Sequence, residues 1–303
     1  MNITPTRSVC LTRAGPSFLA GLVLIAGAVS LARAEEPAGA PKAKNSAVAR
    51  LRQYYQETAA GYEVRFQDAA KTKLLLQAAP VMHWNSFPNW NGSVFLWTHQ
   101  GRPELICSIH SSGEEGPAGY GVGDELHSLS LGALSVVGPN GRRWEPKGLE
   151  GLRVLPGAPT PADSAARRQL QIKELVRDFT AHVNVRGDRW ELRLLPQPLY
   201  KYDGPDLDVL SGAVFTFVGF ITDPEIILLL EARRTPQGPK WHYLPARFSN
   251  KSLWLEYRNR PVWESLRRGH ESNQPDTVEP QYGQVFRAGV RLPPGPAGRR
   301  GGP

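Results

Sequence analysis

Apolar residues recur at three- and four-residue spacing in two stretches of the chain. The first carries Val48, Leu51, Tyr55, Ala59, Tyr62 and Phe66; the second carries Ile172, Leu175, Val176, Phe179 and Val183. Each pattern puts one apolar stripe along a helix. The second helix has a start signal, with Thr160 as N-cap, Pro161 at the first helical position and Asp163 facing the exposed amides. After each helix come short runs rich in Val, Ile, Leu, Phe, Trp and Tyr, separated by Gly, Pro, Asp and Asn turns. They fall near 73–84, 93–99, 104–110 and 125–131, then 189–202, 212–220, 225–232, 240–247 and 251–258. Connections this short force antiparallel neighbours, because parallel strands need a crossover of about a dozen residues. The pattern predicts an α+β fold of two related units, each one helix packed on an antiparallel meander of four to five strands.

The two units read as an internal duplication. GSVFLWTHQGRPELICSIH from Gly92 aligns with GAVFTFVGFITDPEIILLLE from Gly212 once a single residue is inserted. Upstream, KTKLLLQAAPVMHWN aligns with ELRLLPQPLYKYD, setting Pro80 on Pro198 and Trp84 on Tyr202. Downstream, LHSLS around His127 aligns with WHYLP around His242, the spacing being absorbed by a longer loop, SSGEEGPAGYGVGD against ARRTPQGP. The expected organisation is a first repeat over 45–137, a Gly/Pro-rich linker over 138–161 and a second repeat over 162–258. A C-terminal extension over 259–287 and a disordered basic tail over 288–303 follow. Trp144 and the LRVLP run of the linker are expected to add a strand or pack on one unit.

The N-terminus combines Arg7 and Arg13, an apolar run from Phe18 to Ala32, and Ala32-Arg33-Ala34 before Glu35. These are the parts of a secretory signal peptide over residues 1–34, cleaved after Ala34. The run falls short of the roughly 20 apolar residues that span a bilayer, so no integral membrane segment is expected after processing. The chain has a formal charge of +8, and loss of three arginines with the signal brings this to +5. Arg299 and Arg300 lie in the tail, so no basic stripe is left to neutralise many phosphates, and nucleic acid is excluded as a partner. Cys10 leaves with the signal. Cys107, the remaining cysteine, alternates in phase with Leu105 and Ile109 and reads as a small buried apolar residue.

WTHQGRPELICSIH, ELHSLSL, ELRLLPQPLYKYD and VFTFVGFITDPEIILLLEAR resemble a family of uncharacterised exported bacterial proteins, over most of residues 50 to 263. The resemblance implies an exported compartment and attaches no activity, ligand or catalytic residue.

Chemical motifs are sparse. His99, His110 and His127 lack the short-spaced pairing of zinc ligands, so no metal site or cofactor is assigned. His127 and Ser128 are adjacent on a predicted strand and point to opposite faces, which separates base from nucleophile. GYGVGD runs into a strand, whereas a phosphate cradle opens a helix; it reads as a mobile glycine loop. Pro-Glu recurs at 103–104 and 224–225, where proline suits the first residue of a strand. Arg102 stands beside Glu104 in the first copy only, making Glu104 the better candidate of the two glutamates. Other residues present in one copy only are His99, Lys201, Glu231 and Arg233. The candidate ligand-binding residues are Trp84, Trp97, Arg102, Glu104, His110, His127 and His242, with no catalytic residue assigned. The sequence is read as an exported, non-enzymatic module binding an unknown ligand or envelope protein. The alternative is a hydrolase-like or other small-molecule enzyme with residues dispersed over the first repeat.

Overall fold

The computed structural model describes residues 40–69, 71–86, 89–266 and 281–292; the signal segment and most of the basic tail lie outside them. Helix α1 (Ala40–Ala60) buries Leu51, Tyr55 and Ala59 as its stripe predicts. It stops at Gly61, whose N–H donates to the carbonyls of Glu57 and Thr58, so Tyr62 and Phe66 leave the helix. Helix α2 (Ala165–Leu175) is capped by Ser164, which accepts from the Arg167 amide, rather than by Thr160. Thr160 and Ala162 are tied instead to the side chain of Gln171. Phe179 and Val183 prolong the apolar stripe on paper but belong to a strand in which Phe179, Ala181 and Val183 are buried alternately. A spacing of four satisfies the helical and the strand period alike, which is why the sequence overextends both helices.

The first unit continues with β1 (Glu63–Phe66), β2 (Leu75–Leu76), β3 (Met82–Ser86), β4 (Trp90–His99), β5 (Arg102–Gly116), β6 (Gly119–Ser128), β7 (Leu134–Val137) and β8 (Arg143–Trp144). The linker contributes β9 (Arg153–Val154). The second unit holds β10 (Phe179–Val185), β11 (Asp188–Leu194), β12 (Tyr200–Gly204), β13 (Val209–Val218), β14 (Pro224–Arg233), β15 (Lys240–Arg247), β16 (Leu253–Tyr257) and β17 (Arg260–Ser265); β18 (Tyr282–Val290) is the last strand among the described residues. The strands form a 6-stranded sheet β18-β6-β5-β4-β2 with β3 also on β4, and a 3-stranded sheet β1-β7-β8. The second unit is a 9-stranded sheet β17-β16-β10-β11-β13-β14-β15-β9 with β12 also on β13. Strands outnumber the expected four to five because the residues flanking each meander pair as well. GYGVGD is part of β6, not a loose loop. Strand β17 extends the second unit past 258, and β18 runs into the segment the composition reads as tail.

The two units share one order of elements and one register. Trp84, Gly92, His110 and Gly123 lie opposite one another across β3, β4, β5 and β6. Tyr202, Gly212, Glu231 and His242 do so across β12, β13, β14 and β15. A bulge follows Trp97 in one unit and Phe217 in the other, each at the strand's partner proline, Pro103 or Pro224. Proline lacks the N–H a regular ladder would use there, so the repeated Pro marks a repeated bulge. The hairpins β7–β8 and β16–β17 return to β1 and β10 in the same way. One alignment is corrected: His127 lies opposite Ile106 and its counterpart is Ala246, opposite Ile227, while His242 corresponds to Gly123. The longer first hairpin is mostly paired strand, so counting it as loop slides the alignment by four residues.

Three apolar cores separate four layers. Leu51, Tyr55 and Ala59 of α1 pack with Phe95, Trp97 and Cys107 on one face of the first sheet. Ile172 and Leu175 of α2 pack with Phe215, Phe217 and Leu228 on one face of the second. The intervening positions, Val94, Leu96 and Ile106 from the first sheet and Val214, Ile227 and Leu229 from the second, form a core shared by both units. The sheets thus stack face to face between two outer helices. Strands buried on both faces read as unbroken apolar runs, which hides their period of two. Each meander also has its last strand covered from outside the repeat, β6 by β18 and β15 by β9. Among the described residues no helix is long and apolar enough to cross a membrane.

Candidate functional site

A repeated device fixes the aromatic residues at the seam between the sheets. A Cβ on Gly92 would stand 2.5 Å from Trp84 Cε2, and one on Gly212 would stand 2.4 Å from Tyr202 Cε2. The glycine of each Gly-x-Val-Phe run is therefore the floor on which the neighbouring ring lies. His110 uses the same device on Gly123, where a Cβ would stand 2.7 Å from Nε2.

Because the units are equivalent, the seam has two equivalent ends. At the first, the turn before β5 is a tight one, with Gln100 and Gly101 at positive φ. A Cβ on Gly101 would stand 2.8 Å from the Asp203 carbonyl oxygen, so glycine lets this turn press on the end of β12. The turn delivers Arg102, 2 % exposed, into the seam. Its Nε donates to Glu231 Oε1 at 2.9 Å and its Nη1 lies 3.1 Å from Glu104 Oε1. The Tyr202 hydroxyl donates to Glu231 Oε1 at 2.7 Å, and Arg233 Nη1 donates to Oε2 at 2.8 Å. Burial works to raise the Glu231 carboxyl, but Arg102, Tyr202 and Arg233 outweigh it and hold the group below its ordinary range. Burial raises Glu104 despite Arg102. Two arginines and two glutamates close this end.

At the second end, Asp223 holds the place of Arg102, Glu225 that of Glu104, His110 that of Glu231, and Trp84 that of Tyr202. The contact between turn and strand persists, with the Thr222 N–H donating to the Asn85 carbonyl at 3.2 Å. This turn contains the inserted residue of the sequence alignment, and it holds Phe220 and Ile221 outward, 49 % and 58 % exposed. A cleft of about 490 Å3 opens here. Its wall includes His110, stacked on Trp90 with centroids 5.9 Å apart, and Trp84, whose Nε1 donates to Ser108 Oγ at 3.0 Å. Phe220, Trp90 and Phe286 give it a partly exposed aromatic rim.

The floor is acidic. Glu225 is 2 % exposed; Oε1 pairs with Lys251, and Oε2 is buried without a hydrogen-bond partner. Burial raises its carboxyl above the ordinary range, with Lys251 and Ser249 opposing. Asp223 is pushed up to about 7, first by burial and then by the charge of Glu225, with Glu125 adding and Lys251 opposing. Glu125 accepts from the Tyr282 hydroxyl at 3.0 Å and Gln284 Nε2 at 2.6 Å. Strand β18 thereby supplies one wall, clamped by Arg287 on the buried carboxylate of Asp124, which also accepts from Tyr62 at 2.5 Å. His110 Nδ1 is a further buried atom without a partner.

Of the seven candidates, Trp84 and His110 line the cleft. Trp97 lies in the α1 core, edge-on to Tyr62. Arg102 and Glu104 belong to the closed end. His127 is buried with Nδ1 2.7 Å from the Ser128 carbonyl, and His242 lies opposite Glu231, away from the cleft lining. Of the two Pro-Glu glutamates it is Glu225, ranked below Glu104 from sequence, that lines the cleft. Asp223, Ser249 and Lys251 are additions, and one signal pointed to the first: the duplicated Pro-Glu is preceded by arginine in one copy and aspartate in the other. Each glutamate also meets an equivalent downstream segment, since the Leu129 N–H donates to the Glu104 carbonyl and the Phe248 N–H to that of Glu225. Among the described residues no three His, Cys, Asp or Glu converge as a metal-binding group. Comparison with family models, curated proteins and solved structures finds no match to this chain.

Proposed function

We propose that the protein is an exported binding module that seats a small organic ligand in the cleft at the Asp223 end of the seam. The carrying observation is the contrast between equivalent ends: one is filled by the protein's own ion pairs, the other leaves about 490 Å3 lined by rings and by more carboxylates than cations. Apolar walls with a few converging polar groups are the usual make-up of a small-molecule site. The compartment rests on the three-part N-terminus and on the family resemblance. Asn250 is exposed and lines the cleft, so Asn250→Trp blocks the cleft while sparing the core. Native mass spectrometry of the processed protein, exposed to a mixed fragment set, is expected to find one molecule bound per chain and to lose it in that variant. Undiminished binding by Asn250→Trp sinks the assignment.

An enzyme is the alternative, and it moves from the first repeat to this cleft. In its favour is Asp223, a carboxyl near neutrality beside a second carboxyl, as general acid catalysis needs. Turnover that disappears in Asp223→Asn with ligand binding retained is the outcome that would select it.

A further inference from the structure

The closed end is a template for what the open end takes. There, two buried carboxylates from different units, Glu104 and Glu231, converge on one guanidinium, that of Arg102. The position is dictated by the fold, since Arg102 enters on the turn before β5 and meets β14 across the seam. The duplication reproduces this geometry at the open end but replaces the arginine by Asp223. What remains is the glutamate, Glu225, with Oε2 buried and unbonded, a second carboxyl where the cation stood, and Glu125 from the other unit. Lys251, its side chain 34 % exposed, answers one oxygen of one of these three acids. Described side chains at the cleft therefore carry an excess of carboxylates over cations, the Asp124–Arg287 pair being balanced within itself.

We infer that the ligand presents a guanidinium head to Glu225 and Asp223, taking the role that Arg102 plays at the other end. This rests on the cleft being the binding site. A guanidinium is planar, always charged and offers paired N–H donors that match carboxylates. The body attached to it would lie against Trp90, Phe220 and Phe286, whose faces also favour a cation. A neutral or anionic head would leave the carboxylates unanswered or add to their repulsion. In a buried setting that discriminates strongly, because unpaired polar groups keep their full desolvation cost.

The test is a titration of the full chain followed by amide chemical shifts. Three probes of similar shape are used: benzylguanidinium, neutral benzylurea and anionic phenylacetate. Benzylguanidinium is expected to move the amides of Gly123, Ser249 and Phe286 and to bind at least tenfold tighter than benzylurea. Asp223→Asn, a near-isosteric change, should weaken it about tenfold without altering the melting curve by more than a few degrees. Asp223→Arg places the chain's own guanidinium in the cleft and should abolish binding. Equal or tighter binding of benzylurea or phenylacetate at the same amides overturns the guanidinium inference and leaves the cleft as a binding site. Absence of any shift there with all three probes overturns both.

Discussion

The Arg102 end and the Asp223 end of the seam are built from the same strands, the same bulge and the same ring-on-glycine contact, yet they have opposite characters. At one, a buried charge network joins the units; at the other, rings and carboxylates surround a cleft. The difference comes down to few positions: arginine against aspartate before Pro-Glu, glutamate against histidine opposite the glycine, and one extra residue in a turn. A shared fold therefore does not imply a shared role. Duplication supplies two equivalent places, and side-chain chemistry makes one structural and leaves the other available.

The sharpest test truncates the side chain at the equivalent place of each end. Arg102→Ala leaves Glu104 and Glu231 buried with their shared partner gone and should cost about 3–5 kcal/mol, read from denaturant unfolding. Asp223→Ala removes a carboxyl that repels its neighbours and should cost far less. A similar loss for both would show that the open end is also structural. Next in size, Gly212→Ala and Gly92→Ala each drive a methyl into a ring, for about 1–3 kcal/mol. Gly212→Ala should be the worse, because Tyr202 is held by Glu231 whereas Trp84 borders the cleft. The reverse order would mean that Trp84 is the more tightly held ring.

A pH series reads the open end. The Asp223 carboxyl rises from 3.8 to about 7 on folding, facing Glu225 and Lys251 of its own unit and Glu125 of the other. A raised folded value stabilises the protonated protein, fully below 3.8, and that contribution is lost as pH rises through about 7. Relative to Asp223→Asn, the wild type should therefore lose on the order of 1–2 kcal/mol between about pH 4 and pH 8. A constant difference across that window would contradict the assignment. The smallest effect concerns Cys107 and its counterpart Leu228, opposite Phe95 and Phe215. Cys107 is fully buried and burial raises its thiol well above the ordinary range. Labelling by a thiol reagent should wait for unfolding.

The duplication was legible because its markers answer to backbone geometry: proline at a bulge, glycine under a ring, glutamate beside the bulge. His127 and His242 were misaligned because LHSLS and WHYLP offer only an alternation that fits several registers; the true anchor is Leu129-Ser130 with Phe248-Ser249. The cleft was only partly legible. Trp84 and His110 come from the first unit and Asp223, Glu225 and Lys251 from the second, and they meet only because the sheets stack face to face. Nothing in either repeat taken alone encodes that stacking.

The pairing of β18 with β6 ties the order of assembly to the order of synthesis. Tyr282 to Val290 complete an edge made by residues 120–127, so the first unit waits for a strand that follows the whole second unit in sequence. Until they arrive, β6 presents a row of unanswered amides and carbonyls, and the wall of the cleft that carries Glu125 lacks its support. A nascent chain in this state is slow to lock, as contacts distant in sequence generally are. The same edge is where a chain truncated after Ser265 would stick to its neighbours.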